Sequence, residues 1–98
     1  SDLYPVCPGM PYYVIGSPSF EESVITLENG KKFTIEAKGA SEKNIYIQSA
    51  TLNGQPYDKS YILHKDIMNG GILSFVMGDT PNKEWASATG SLPPSLGL

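Results

Sequence analysis

Ser23-Val24-Ile25-Thr26-Leu27-Glu28 runs up to an Asn29-Gly30 pair, and apolar and polar residues alternate after it from Lys32 to Ala37. In an extended chain Phe33, Ile35 and Ala37 fall on one side, and Lys32, Thr34 and Glu36 on the other. One dry face and one wet face predict an antiparallel hairpin. Asn-Gly tolerates the positive φ angles that a type I′ turn demands. A second strand is predicted from Asn44 to Leu52. There Ile45 and Ile47 share one face, and Tyr46, Gln48, Ala50 and Leu52 share the other. Neither face is polar throughout, so this strand is expected to be central or to change sheet half-way. Asn53-Gly54 signals a second hairpin, returning through Gln55-Pro56-Tyr57. Pro56 cannot donate to a ladder, which makes the return strand short or an edge.

Further strands are predicted at Pro11–Gly16, Ser60–His64 and Ile72–Met77. A single helical turn closed by glycine is predicted near residues 64–70. No longer stretch shows a helical period. Short strands at regular spacing predict an all-β domain, a small antiparallel β-sandwich of about six or seven strands or a partly open barrel. The β-module is expected over residues 1–85. From 86 to 98 the chain carries no charge and is rich in Ser, Gly and Pro, which predicts an extended or disordered tail.

Composition narrows the function more than the fold. The 98 residues include 7 basic and 10 acidic side chains, a net charge of −3. The basic residues are scattered, so nucleic acid is not an expected partner. No apolar run approaches about 18 residues, so no membrane span is expected. The lone Cys7 can form neither an internal disulfide nor a Cys-rich zinc site. Between Pro5 and Pro8 and with no base nearby, it is expected to be a packed, inert thiol. No signal peptide is expected at the start, where Ser1-Asp2-Leu3 leads into a Pro-rich segment.

Candidate chemistry is sparse. Glu21 and Glu22 are neighbours whose side chains diverge, and Asp58, Asp66, Asp79 and Glu84 stand alone in loop-like segments, as solvated turn acids do. His64-x-Asp66 has no third ligand nearby at metal-binding spacing, and Asp66 is expected to cap the turn that follows. No nucleophile motif and no phosphate loop is present. No catalytic, cofactor-binding or metal-ligating residue is therefore assigned. Tyr46, Tyr57, Tyr61 and Trp85 are candidate sugar-stacking rings. Coplanar exposed rings would mark a binding module, and buried rings a scaffold. Leu3, Tyr4, Val6 and Met10 are apolar where a terminus should fray, so either this domain's core or a neighbouring domain is expected to cover them.

Leu3-Tyr4-Pro5-Val6-Cys7-Pro8-Gly9 followed by Pro11-Tyr12-Tyr13-Val14-Ile15-Gly16-Ser17-Pro18 resembles the closing segment of glycoside hydrolase family 92, bacterial exo-acting α-mannosidases. The resemblance continues through Ile45–Gly54, His64–Gly71 and Gly78-Asp79-Thr80-Pro81-Asn82-Lys83-Glu84-Trp85. It implies a C-terminal β-domain of a larger secreted, periplasmic or cell-surface glycosidase. The parent would be a Ca²⁺-dependent inverting enzyme acting on mannose-rich glycans, with its Glu acid, Asp base and Ca²⁺ in a helical (α/α)₆ domain. No residue here matches those groups. The implied partner is that helical domain of the same chain, met by Leu3, Tyr4, Val6 and Met10. A glycan is a second candidate partner. The alternative is a stand-alone carbohydrate-binding or protein-interaction module.

Overall fold

The computed structural model describes residues 3–5, 12–16, 18 and 21–86, with Tyr4 and Pro5 described by their backbone only. The elements are β1 (Leu3–Pro5), β2 (Tyr12–Ile15), β3 (Glu22–Thr26), β4 (Lys32–Lys38), β5 (Tyr46–Leu52), β6 (Gln55–Pro56), β7 (Tyr61–Leu63), α1 (His64–Met68) and β8 (Gly71–Gly78). They form a three-stranded sheet ordered β1-β2-β7 and a five-stranded sheet ordered β3-β4-β8-β5-β6. The expected all-β class holds, with one short helix where it was predicted.

Both Asn-Gly hairpins form, but with different turns. At the second, Leu52 pairs with Gln55 across a two-residue loop. Asn53 (φ 51°) and Gly54 (φ 84°) both take positive φ, as a type I′ turn requires. At the first, the ladder ends at Thr26 opposite Lys32. The Leu27 N–H donates to the Lys31 carbonyl at 2.8 Å, and the Gly30 N–H to the Leu27 carbonyl at 2.9 Å. Glu28, Asn29 and Gly30 thus make a three-residue loop, in which only Gly30 has positive φ (84°). The expected type I′ geometry is replaced here because the longer loop needs a single left-handed residue. The Asn29 side chain is used instead to fasten the loop. Its Oδ1 accepts from the Lys31 N–H at 2.9 Å, and its Nδ2 donates to the Met68 carbonyl at the end of α1 at 3.0 Å.

The ambiguous strand is explained by a bulge. Ile47 pairs with Met77 and Ser49 with Val76, which leaves Gln48 as the extra residue. A bulge shifts the phase of the side chains by one. Ile47, Ala50 and Leu52 therefore all face the same way as Met77, Phe75 and Leu73, their partners on β8. The strand is central enough to have β8 on one side and β6 on the other, and it stays in one sheet.

The five-stranded sheet departs from an antiparallel arrangement at one pair. β8 lies parallel to β4, with Ile35 opposite Leu73 and Ala37 opposite Phe75, and antiparallel to β5. Its entry is tightly fitted. Gly71 has φ 130°, and a Cβ added there would stand 2.1 Å from Asn53 Oδ1. That oxygen accepts from the Ile72 N–H at 2.8 Å, while the Asn53 N–H donates to the Ile72 carbonyl at 2.8 Å. The β5–β6 turn is in this way clamped to the start of β8.

One buried cluster joins the two sheets. Leu3 of β1, Ile62 of β7 and Ile67 of α1 pack with Phe33, Ile35, Ala37, Ala50, Leu73, Phe75 and Met77 of the larger sheet. Phe33, Ile62, Leu73 and Phe75 are fully buried. Each such side chain stabilises the fold by about 1.5–3 kcal/mol relative to exposure. The outer face of the larger sheet is less covered. Val24, Thr34 and Ile72 form one row across three strands, and Val24 and Ile72 remain 51% and 44% exposed.

Candidate functional site

The four candidate rings divide into two pairs. Tyr57 Oη donates to the Tyr61 carbonyl at 2.5 Å, and Lys59 Nζ lies 6.0 Å from the centre of the Tyr57 ring. Burial pushes the Tyr57 hydroxyl up to about 12, with Asp66, Tyr61 and Asp58 adding to the rise. Tyr61 meets Tyr12 edge to face, with ring centres 5.8 Å apart. Tyr57 and Tyr61 therefore brace β7 and the segment before it.

Tyr46 and Trp85 come together elsewhere. They line a depression of about 250 Å³ with Ile15, Ile47, Asn82 and Lys83, between the end of β2, the start of β5 and the 79–86 loop. Tyr46 is 37% exposed. Trp85 is half-buried and fixed at both ends: its Nε1–H donates to the Tyr57 carbonyl at 3.1 Å, and its ring meets Phe75 edge to face at 6.3 Å. The loop that carries it has no regular structure, yet side chains hold it throughout. Gln48 Nε2 donates to the Thr80 carbonyl at 2.6 Å, Asn82 Nδ2 donates to the Gln48 carbonyl at 2.9 Å, and Asn82 Oδ1 accepts from the Glu84 N–H at 3.0 Å. Gln48, Asn82 and Lys83 escaped the sequence reading. The Thr80-Pro81-Asn82 turn was a usable signal for Asn82, because an Asn side chain readily bonds the backbone two residues on. Gln48 had none beyond the broken alternation of its strand.

Of the remaining candidates, Leu3 and His64 make contacts within the fold. Leu3 is 7% exposed and part of this domain's own core, so its side chain is used internally. Tyr4 lies in β1 opposite Val14, while Val6, Cys7 and Met10 fall outside the described residues, as does the tail from 87 to 98. His64 Nδ1 stands 3.0 Å from Tyr13 Oη, a hydrogen bond that draws the imidazole towards the smaller sheet. Asp66 does not cap α1. The N-cap is Leu63, no side chain caps the helix, and Asp66 sits in its first turn, where a carboxylate suits the positive end of the helix. Glu21, Glu22 and Glu36 line a shallow concavity. Among the described residues no three His, Cys, Asp or Glu side chains converge as a metal site would require.

The sequence profile of the glycosyl hydrolase family 92 catalytic domain matches residues 2–79. This chain belongs to glycosyl hydrolase family 92. It is similar to a family GH92 α-mannosidase of Bacteroides thetaiotaomicron, at 40% identity and a TM-score of 0.92, over 99% of this chain and 13% of that one. A family GH92 inverting mannosidase of the same organism is 38% identical with a TM-score of 0.90, over 94% of this chain and 12% of its own. An uncharacterized secreted glycosidase of Arthroderma benhamiae is 38% identical over 93 residues, which are 92% of this chain and 12% of that protein. The family 92 chain thus spans about 12% of the length of the relatives it matches. No helix among the described residues is long and apolar enough to cross a membrane.

Proposed function

We propose that this chain is the non-catalytic C-terminal β-domain of a Ca²⁺-dependent, inverting α-mannosidase acting on mannose-rich glycans. In this reading it braces the helical catalytic domain of the same parent chain. The observation that carries the proposal is the 40% identity over 99% of this chain to a segment forming 13% of an α-mannosidase. An inverting glycosidase needs an acid and a base about 6.5–9.5 Å apart across the scissile bond. Both, and the Ca²⁺, are assigned to other parts of the parent. Ca²⁺ takes about six to eight oxygen ligands, and the described residues do not fit it, because no acidic donor set converges.

The outer face of the five-stranded sheet supports a bracing role. Val24, Ile72 and Val76 are 51%, 44% and 48% exposed there, apolar surface that a larger chain would cover. Tyr4, Val6 and Met10 stay in the proposal as seam residues, with Leu3 anchoring their segment from the core. Similarity to the secreted glycosidase of Arthroderma benhamiae supports a secreted location, and the periplasm or cell surface of a bacterium is the finer alternative. The test uses the isolated chain and the full-length parent, each with an α-mannoside and Ca²⁺. The parent should release mannose with inverted anomeric configuration, followed by NMR, and the isolated chain should release none. Mannose release by the isolated chain overturns the non-catalytic role, and an inert parent overturns the mannosidase reading.

A further inference from the structure

We propose that the depression between Tyr46 and Trp85 is a binding subsite for one hexose unit of a mannose-rich glycan. The identity of the sugar rests on the mannosidase reading above, whereas the existence of the subsite rests on the geometry. A pyranose presents an apolar C–H face and a rim of hydroxyls. Its recognition needs an aromatic or aliphatic surface for the first, and donors and acceptors for the second. Both lie here. Tyr46, Trp85, Ile15 and Ile47 supply the apolar wall, and Asn82 and Lys83 stand beside it in a space of about 250 Å³. An amide offers two N–H donors and a carbonyl, and an ammonium three donors. One Asn82 N–H is committed to the Gln48 carbonyl.

The arrangement is held in advance, which is what separates a binding site from a chance dent. Trp85 is fixed through its nitrogen and through its contact with Phe75. The Asn82 side chain is fixed through both its nitrogen and its oxygen. Gln48, the residue that secures the loop at Thr80, is the bulge residue of β5. Bulges recur beside functional sites, where they re-aim neighbouring side chains, and the two residues before this one are Tyr46 and Ile47. The other two tyrosines are excluded, since the Tyr57 hydroxyl is bound within the fold and Tyr61 packs on Tyr12. Among the described residues of the lining Lys83 is the one charged side chain, so an anionic ligand would meet a single cation there.

The chain has one Trp, so its fluorescence reports on Trp85 alone. Titrating methyl α-mannoside, and then a mannan oligosaccharide, into the 98-residue chain should give a saturable fluorescence change. Amide shifts should be confined to residues around Ile15, Tyr46, Ile47 and the loop to Trp85. Tyr46→Ala should weaken binding by about tenfold through lost apolar contact, and Val24→Ser on the outer sheet face should leave it unchanged. A folded chain with no saturable change overturns the subsite, as does a shift map elsewhere or affinity indifferent to Tyr46→Ala. In the full-length enzyme, Tyr46→Ala should raise KM for mannan by about tenfold, and an unchanged KM also overturns the proposal. A parent that hydrolyses α-mannosides while this depression ignores sugar refutes the subsite alone. Sugar binding by a parent without mannosidase activity refutes the mannosidase reading alone.

Discussion

One added methyl group at Gly71 should be among the most damaging small changes in this domain. The φ of 130° there belongs to glycine, and holding an alanine in such a region costs about 1–3 kcal/mol. The new Cβ would also lie 2.1 Å from Asn53 Oδ1 and 2.8 Å from its Cγ. Asn53 cannot retreat without giving up the 2.8 Å bond from the Ile72 N–H, a further loss of about 0.5–1.5 kcal/mol. The sum is about 2–4 kcal/mol, a large share of the roughly 5–15 kcal/mol that holds a domain together. At about 4–8 °C per kcal/mol, Tm should fall by roughly 10–30 °C. Urea and thermal unfolding followed by circular dichroism measure this for Gly71→Ala alone and in an Asn53→Gly background. Asn53→Gly keeps the positive φ of the turn and removes the obstructing side chain. In that background Gly71→Ala should cost only the backbone part, about 1–3 kcal/mol. A Tm within about 2 °C of the parent chain would refute the reasoning. Equal losses in both backgrounds would remove the Asn53 contact from it.

Gly30→Val should cost about 1 kcal/mol, measurable in a thermal melt, because a Cβ there meets no atom within 4 Å and only the positive φ resists it; an unchanged melt counts against the left-handed loop. Phe75→Ala should lose about 3–5 kcal/mol in urea unfolding, and it should red-shift the Trp85 emission as the ring loses its edge contact. Unshifted emission would contradict that packing. Tyr57 is raised in the fold from 10.0 to about 12, so its stabilisation is complete below pH 10 and is lost as pH climbs from 10 to 12, where the unfolded chain ionises first. The loss should be on the order of 1–2 kcal/mol, since the half-buried ring keeps some solvent screening, and Tyr57→Phe should abolish it; equal alkaline slopes in the two proteins would refute the assignment.

Local chemistry made much of the fold readable. Alternation of Phe33, Ile35 and Ala37 identified the buried face of β4, and Asn-Gly pairs located both hairpins. Turn type was less readable, because Asn29-Gly30 and Asn53-Gly54 look alike while the ladder registers around them differ. The split apolar pattern of β5 required a bulge, and a bulge is set by the partner strand, so period alone could not place it at Gln48. The parallel pairing of β4 with β8 joins residues nearly forty positions apart and leaves no mark on either strand. Ring type alone made Tyr46, Tyr57, Tyr61 and Trp85 equal candidates, yet only Tyr46 and Trp85 line the depression. What sorts them is which carbonyl or neighbouring ring each one meets, a matter of three-dimensional packing. Leu3 shows the same limit: an apolar terminal residue reads alike whether its own core or a neighbouring domain covers it.

The central strand of the larger sheet is the last to be synthesised. Before residues 71–78 emerge, β3–β4 and β5–β6 are two hairpins with no strand pairing between them. A lone hairpin is marginally stable in water. Leu73 then arrives between Ile35 and Leu52, and Phe75 between Ala37 and Ala50, so that one strand closes both halves of the sheet together. Closures over such sequence distances are slow, and until they occur two strand edges stay open to other chains. β8 is thus a keystone in time as well as in space. A ribosome-bound chain should gain its protection from protease in one late step, once the whole of β8 has emerged. A chain cut just before Gly71 should be not a smaller domain but an unfolded one.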